Sequence, residues 1–144
     1  MTNDDGDHCP KSEIRACIYV YTAQVRSPDV ARQVKACRRV AQSQGLMLYK
    51  TEIDGGRCGP GLAGRDGLER VLESAANGEF DTLIVKSIDR FSRDVFDAMA
   101  VLARLKMWRI SLMTVDGGRV DIDNILFGRG DHPPARRFER MVDQ

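Results

Sequence analysis

The stretch Lys86-Ser87-Ile88-Asp89-Arg90-Phe91-Ser92-Arg93-Asp94 concentrates charged and hydroxyl side chains where an apolar run, Thr82 to Val85, gives way to helical periodicity. Arg90 and Arg93 stand three apart, so a helix start projects both from one face. Backbone N–H groups at that start also favour an anion. Two guanidinium groups, each able to donate two parallel hydrogen bonds, suit a phosphate. Asp89 is placed to orient them. The same residues also read as a solvated first turn with ordinary surface arginines, and residue types alone leave both readings open.

A second segment, Arg65-Asp66-Gly67-Leu68, ends a Gly-rich loop that runs from Asp54 to Gly64. A mobile loop of this kind can deliver Arg65 to a phosphate; taken alone, Arg65 is simply a helix-start arginine. Asp54 closes a predicted strand at the same sheet edge, and Gln33 follows Arg32 on a predicted helix. Each is unremarkable by itself.

The rest of the chain must position these groups. Its 144 residues fit one domain, and 42% hydrophobic with 30% charged residues allows a real core. Lys plus Arg is 22 and Asp plus Glu is 21, for a net charge of +1. That balance excludes a uniformly basic nucleic-acid coat or an acidic tail, although a local basic cluster fits within it. No apolar run reaches membrane-span length and the N-terminus is polar, so the expected setting is the cytoplasm, with no membrane partner. Residues 1–13 read as a disordered polar tail, with Asp4, Asp5, Asp7 and Glu13 against Lys11.

Strands and helices then alternate. Cys17 to Tyr21 is a β-branched and aromatic run, expected to be a strand buried on both faces. Ser27-Pro28-Asp29 starts a helix carrying Val30, Val34, Cys37 and Ala41, which Gly45 stops. Leu46 to Ile53 is a second strand. Leu68 to Ala76 is a short helix stopped near Asn77-Gly78. Thr82 to Val85 is a third strand, Phe96 to Ala103 marks a third helix, and Ile110 to Val115 is a fourth strand ended by Asp116-Gly117-Gly118. A last short helix is expected from Ala135 to Val142. The pattern predicts an α/β fold: three layers, a mainly parallel four- or five-stranded sheet, and helices on both faces. Ligands of such sheets bind at the carboxyl ends of strands. The expected boundaries are 1–13 for the tail, 14–120 for the folded domain and 121–144 for an irregular C-terminal segment.

Cys9, Cys17, Cys37 and Cys58 are widely and irregularly spaced. Cys17 and Cys37 read as buried, inert thiols. His8, Cys9 and Cys58 are conceivable zinc ligands, but reduced cysteines are the simpler reading, and no metal or cofactor is expected.

Taken in order, these segments resemble the catalytic domain of serine site-specific recombinases, the resolvase/invertase group, and most resemble the large serine recombinases. Residues 15 to 119 carry the resemblance: Arg15-Ala16-Cys17-Ile18-Tyr19, Ser27-Pro28 with Arg32-Gln33, Ala36-Cys37-Arg38-Arg39, Asp54 beside the Gly-rich loop, Arg65-x-Gly-Leu, Phe80-Asp81, and above all Asp89-Arg90-Phe91-Ser92-Arg93. Phe138-Glu139-Arg140 echoes the family's later helix more weakly. The resemblance implies phosphoryl transfer on DNA through a covalent phosphoserine, without metal, in an oligomer that exchanges strands. It implies phosphate clamps at Arg65, Arg90 and Arg93, ordering roles for Asp54 and Asp89, and pocket support from Gln33.

The chain departs from that pattern where it matters most. The family carries Tyr-x-Arg-x-Ser at the end of the first strand; here Tyr19-Val20-Tyr21-Thr22-Ala23 stands instead. Ala23 occupies the nucleophile position and Tyr21 that of its partner arginine. A methyl group cannot attack phosphorus, and loss of the arginine removes charge stabilisation. The implied function is therefore a recombinase-like domain that does not cleave DNA. It would retain weak phosphate or DNA binding and pair with itself or with an active recombinase. Gly128, Gly130, Pro133 and Pro134 interrupt the region of the family's long helix. With the chain ending at Gln144, no separate DNA-binding domain is expected. Arg136, Arg137 and Arg140 remain as candidate DNA contacts.

Two alternatives stay open at this point. One is an active strand-exchange recombinase whose nucleophile is displaced to Ser27 or Thr22. The other is a flavodoxin-like small-ligand domain in which Gly55-Gly56 and Gly59 contact a phosphate, although no G-x-G-x-x-G opens a helix after the first strand.

Overall fold

The computed structural model describes residues 14–22, 28–55, 65–91 and 95–128. Elements alternate as expected: β1 (Arg15–Thr22), α1 (Pro28–Ser43), β2 (Met47–Gly55), α2 (Asp66–Ala76), β3 (Thr82–Val85), a 3-10 turn (Ile88–Arg90), α3 (Val95–Met107), β4 (Ser111–Thr114), β5 (Gly118–Val120) and α4 (Ile122–Phe127). The sheet has five strands in the order β2-β1-β3-β4-β5. β1 pairs in parallel with β2 and β3, β3 in parallel with β4, and only β5 runs antiparallel. This is the mainly parallel α/β architecture with helices on both faces that the alternation predicted.

The central strands are apolar on both faces because helices cover both. One core side is built from Cys17, Tyr19, Leu83, Val85 and Leu112 of the sheet with Leu68, Val71, Leu102, Leu105, Ile122 and Ile125. Those six come from α2, α3 and α4. The other side joins Ala16, Ile18, Val20, Ile84 and Met113 to Cys37 and Ala41 of α1. Successive residues of β1 thus go to opposite layers, as the pleat requires. Pro28 opens α1 and Gly45, at φ +69°, ends it in the left-handed region where glycine is favoured.

Three local differences from the sequence expectation have physical causes. Asp89 and Arg90 lie in a tight 3-10 turn rather than in the first turn of an α-helix, and α3 is described from Val95. Gly118, at φ +73°, reverses the chain after Thr114, and Thr114 Oγ1 accepts the Gly117 amide at 2.9 Å, so the expected terminator becomes a hairpin that adds β5. A short helix that the sequence pattern did not announce follows residue 120. Asp121 caps α4 by accepting the Asn124 amide at 3.1 Å, and Ile122 and Ile125 of that helix complete the core. Six residues are too few for a helical period to be read. The expected tail at 1–13, the helix over 135–142 and the residues His8, Cys9 and Cys58 lie outside the described residues. Among the described residues, no helix is long and apolar enough to cross a membrane, and no cluster of three His, Cys, Asp or Glu side chains is placed to hold a metal ion.

Candidate functional site

The parallel register aligns the carboxyl ends of β1 and β2, pairing Tyr21 with Asp54 and Thr22 with Gly55. Tyr19 and Tyr21, two apart, face the same layer. Above that rim sit the start of α2 and the 3-10 turn.

Asp54 is the organising acceptor. It is buried, and its carboxylate takes the Tyr19 hydroxyl at 2.8 Å, the Gly67 amide at 2.7 Å and the Leu68 amide at 2.9 Å. Two unsatisfied donors at the start of α2 are thereby paired, and a negative charge meets the positive end of the helix. The acid therefore fixes the entry of the helix that follows Arg65. Burial, reinforced by the hydrogen bond to Asp54, pushes the Tyr19 phenol well above its ordinary range, so it stays a donor.

Arg65 is only 3% exposed. Its Nη1 donates to the carbonyls of Arg90 and Phe91, both at 2.5 Å, and its guanidinium carbon lies 4.0 Å from the centroid of the Tyr21 ring. No carboxylate is ion-paired with it among the described residues. The cation is thus held by carbonyl dipoles and a ring face, not by a counter-charge. This placement differs from an arginine carried on a mobile loop: Arg65 staples the 3-10 turn to the sheet.

Gln33 is buried where α1 crosses the end of β1. Its Nε2 donates to the Tyr21 carbonyl at 3.1 Å and to Asp29 Oδ2 at 2.7 Å. Three buried polar atoms on this rim have no hydrogen-bond partner among the described residues: Gln33 Oε1, Arg65 Nε and Arg90 Nε. Gln33 bonds the Tyr21 carbonyl, Arg65 stacks on the Tyr21 ring, and Arg65 bonds the main-chain carbonyl of Arg90. Buried polar atoms are normally paired, so these three stand out. Two guanidinium donors suit an oxyanion.

The structure therefore gathers Gln33, Asp54, Arg65, Arg90 and Tyr21 at one rim. Asp89 instead accepts from the Ser87 hydroxyl, and it has no arginine partner among the described residues. Thr22 is buried one residue on from Tyr21, on the opposite face of β1. Ala23, Ser27, Arg93, Arg136, Arg137, Arg140, Gly56 and Gly59 lie outside the described residues. Sequence reasoning overlooked Tyr19 as the partner of Asp54 and Tyr21 as the platform for Arg65. The available signal was the Tyr-x-Tyr spacing, which puts both rings on one face of the strand.

A sequence model described as "Resolvase, N terminal domain" matches residues 20–129. Among curated proteins no significant match is found. Solved structures share the fold. The N-terminal catalytic domain of TP901-1 integrase superposes with a TM-score of 0.63 at 24% identity, over 72% of this chain and 78% of that one. A resolvase family site-specific recombinase from Streptococcus pneumoniae gives 0.67 at 17% identity, over 90% and 86%. The C-terminal catalytic domain of ISC1926 TnpA, an IS607-like serine recombinase, gives 0.63 at 18% identity, over 71% and 69%. With most of its length matched by that model and its five-stranded sheet shared with these catalytic domains, the chain belongs to the resolvase N-terminal domain family of serine recombinases.

Proposed function

We propose that this chain is a resolvase-type catalytic domain that keeps an oxyanion pocket for a DNA backbone phosphate but does not cut the strand. The carrying observation is the buried Arg65 guanidinium, stacked on Tyr21, bonded to the Arg90 carbonyl and without a carboxylate partner among the described residues, together with the buried Nε atoms of Arg65 and Arg90 that have no hydrogen-bond partner there. A buried cation without a counter-ion favours an anion beside it. Arg65 and Arg90, with Arg93 from the same motif, supply the donors, while Asp54 and Gln33 hold the walls.

Cleavage is absent in this reading because the family's serine position is Ala23 and its arginine position is Tyr21. A displaced nucleophile at Thr22 is disfavoured, since that hydroxyl leaves β1 on the face away from Arg65. DNA binding is weak, carried by phosphate contacts with Arg136, Arg137 and Arg140 contributing, and it has little sequence preference. The domain acts by associating with itself or with an active recombinase, in the cytoplasm.

Supercoiled DNA containing a recombination site provides the test. The wild-type chain should give neither nicks nor a protein–DNA adduct. Ala23→Ser together with Tyr21→Arg should yield an adduct, and Ala23→Ser alone should yield far less. An adduct formed by the wild-type chain and lost in Ser27→Ala or Thr22→Val would overturn the reading in favour of a displaced nucleophile.

A further inference from the structure

Helices α1, α2 and α4 are each followed by a glycine in the left-handed region: Gly45, Gly78 and Gly128. After α3 that place is taken by Arg109, at φ +60°. The closing bonds are of the same kind as at Gly45 and Gly78: the Arg109 amide donates to the Lys106 carbonyl at 3.0 Å and the Ile110 amide to the Leu105 carbonyl at 2.8 Å. Glycine takes this position without steric cost, and arginine does not. A residue held against its backbone preference directs attention to its side chain.

Arg109 lines a cleft of about 530 Å³, within the size range of small-molecule sites. The cleft lies at the amino edge of the sheet, between the end of α3, the start of β4, strand β5 and the start of α4. Its apolar walls are Ile110, Leu112, Val120 and Ile122. Two guanidinium groups, Arg109 and Arg119, also line it; both are exposed, and neither is ion-paired among the described residues. The acids beside them are engaged. Asp123 pairs with Lys106 at 2.5 Å, and Asp121 accepts the Asn124 amide at 3.1 Å. Three cations against two acids leave the lining net positive.

We propose that this cleft binds a small organic anion, with Arg109 and Arg119 gripping an oxyanion head and the apolar walls covering a hydrocarbon or aromatic body. Two guanidinium groups from separate elements suit such a head, since each can donate two parallel hydrogen bonds. An inorganic ion would meet the guanidinium groups and leave the apolar walls in water, so the body is part of what is recognised. The cleft and the phosphate rim lie at opposite edges of the sheet. Thr82 and Ser111 pair at the amino ends of β3 and β4, whereas Arg90 follows the carboxyl end of β3. The inference does not rest on the phosphate pocket.

Anilinonaphthalene sulfonate, an aromatic anion whose fluorescence rises in an apolar site, tests the cleft by titration against the full chain. The sulfonate should bind saturably, and phenylnaphthylamine, the same skeleton without the sulfonate, should bind at least about tenfold more weakly. Arg109→Gly and Arg119→Gln should each weaken the sulfonate about tenfold. Arg109→Gly should at the same time raise the melting temperature, because glycine suits the left-handed position. Stability and affinity then move in opposite directions, which a merely structural arginine would not produce. Arg90→Ala, at the other edge of the sheet, should leave the sulfonate affinity within about twofold. Sulfonate binding indifferent to both cleft variants, or equal binding of the neutral amine, overturns the site. Binding lost in Arg90→Ala and kept in the cleft variants puts the probe at the phosphate rim and overturns it as well.

Discussion

The guanidinium of Arg65 lies 4.0 Å from the centroid of the Tyr21 ring, joining the start of α2 to the end of β1. The family pattern has arginine where Tyr21 stands. A second guanidinium there would repel Arg65; an aromatic face attracts it. The tyrosine standing at the position of the family's arginine thus seats a different arginine.

Tyr21→Leu should lower stability by about 1 to 2 kcal/mol, the value of a desolvated cation–π contact. Tyr21→Phe keeps the ring and should be nearly neutral. Chemical denaturation of the two variants checks this; equal loss in both would deny the ring its role.

Gly67 is required by proximity. A Cβ placed there would come within 2.8 Å of Asp54 Oδ1 and 3.0 Å of its Cγ. Gly67→Ala should therefore destabilise the fold by about 1 to 3 kcal/mol despite alanine's better helix propensity. Asp54→Ala removes the acceptor of two amides and the Tyr19 hydroxyl, and should cost about 3 kcal/mol or more. Thermal melts with both variants settle the order of these effects.

Burial raises the Cys17 thiol from 9.0 to about 12 and the Cys37 thiol from 9.0 to about 11. In the folded chain both should resist maleimide at neutral pH and react only on unfolding, which mass spectrometry reads directly. The sign of the pH effect follows. Above about pH 9 the unfolded chain loses thiol protons that the folded chain keeps, so stability is full below that pH and declines as pH rises toward 11 and 12. The Tyr19 phenol, raised by burial and Asp54, adds to the alkaline decline.

Inorganic phosphate or sulfate should raise the melting temperature of the wild type by mass action, and Arg90→Ala should abolish most of that gain. Affinity for short duplex DNA should fall steeply with added salt in the wild type and more shallowly in Arg90→Ala. Identical anion shifts in both proteins would remove Arg90 from the pocket.

The sheet was legible because β1 and β3 are uninterrupted apolar runs, and Pro28 and Gly45 bracket α1. Thr82–Val85 is read from sequence with its observed ends. α4 was not legible, because a six-residue helix stands on one cap and two isoleucines rather than on a period. At the rim, Arg65, Arg90, Asp54 and Gln33 were recognisable from motif order. Their partners were not, since a carbonyl 25 or 26 residues away leaves no trace in residue type. Tyr21, noted in sequence only as a missing arginine, has a positive role that pairwise proximity alone reveals.

One nitrogen of Arg65 serves both the Arg90 and Phe91 carbonyls. An anion drawing that guanidinium toward itself competes with the backbone for the same donor. Occupying the pocket fully therefore means slackening the turn that carries Arg90, and a turn held taut keeps its cation in reserve. The two demands act as a brake on each other, so in the proposed pocket the grip on a phosphate would be set by how readily three residues of main chain let go.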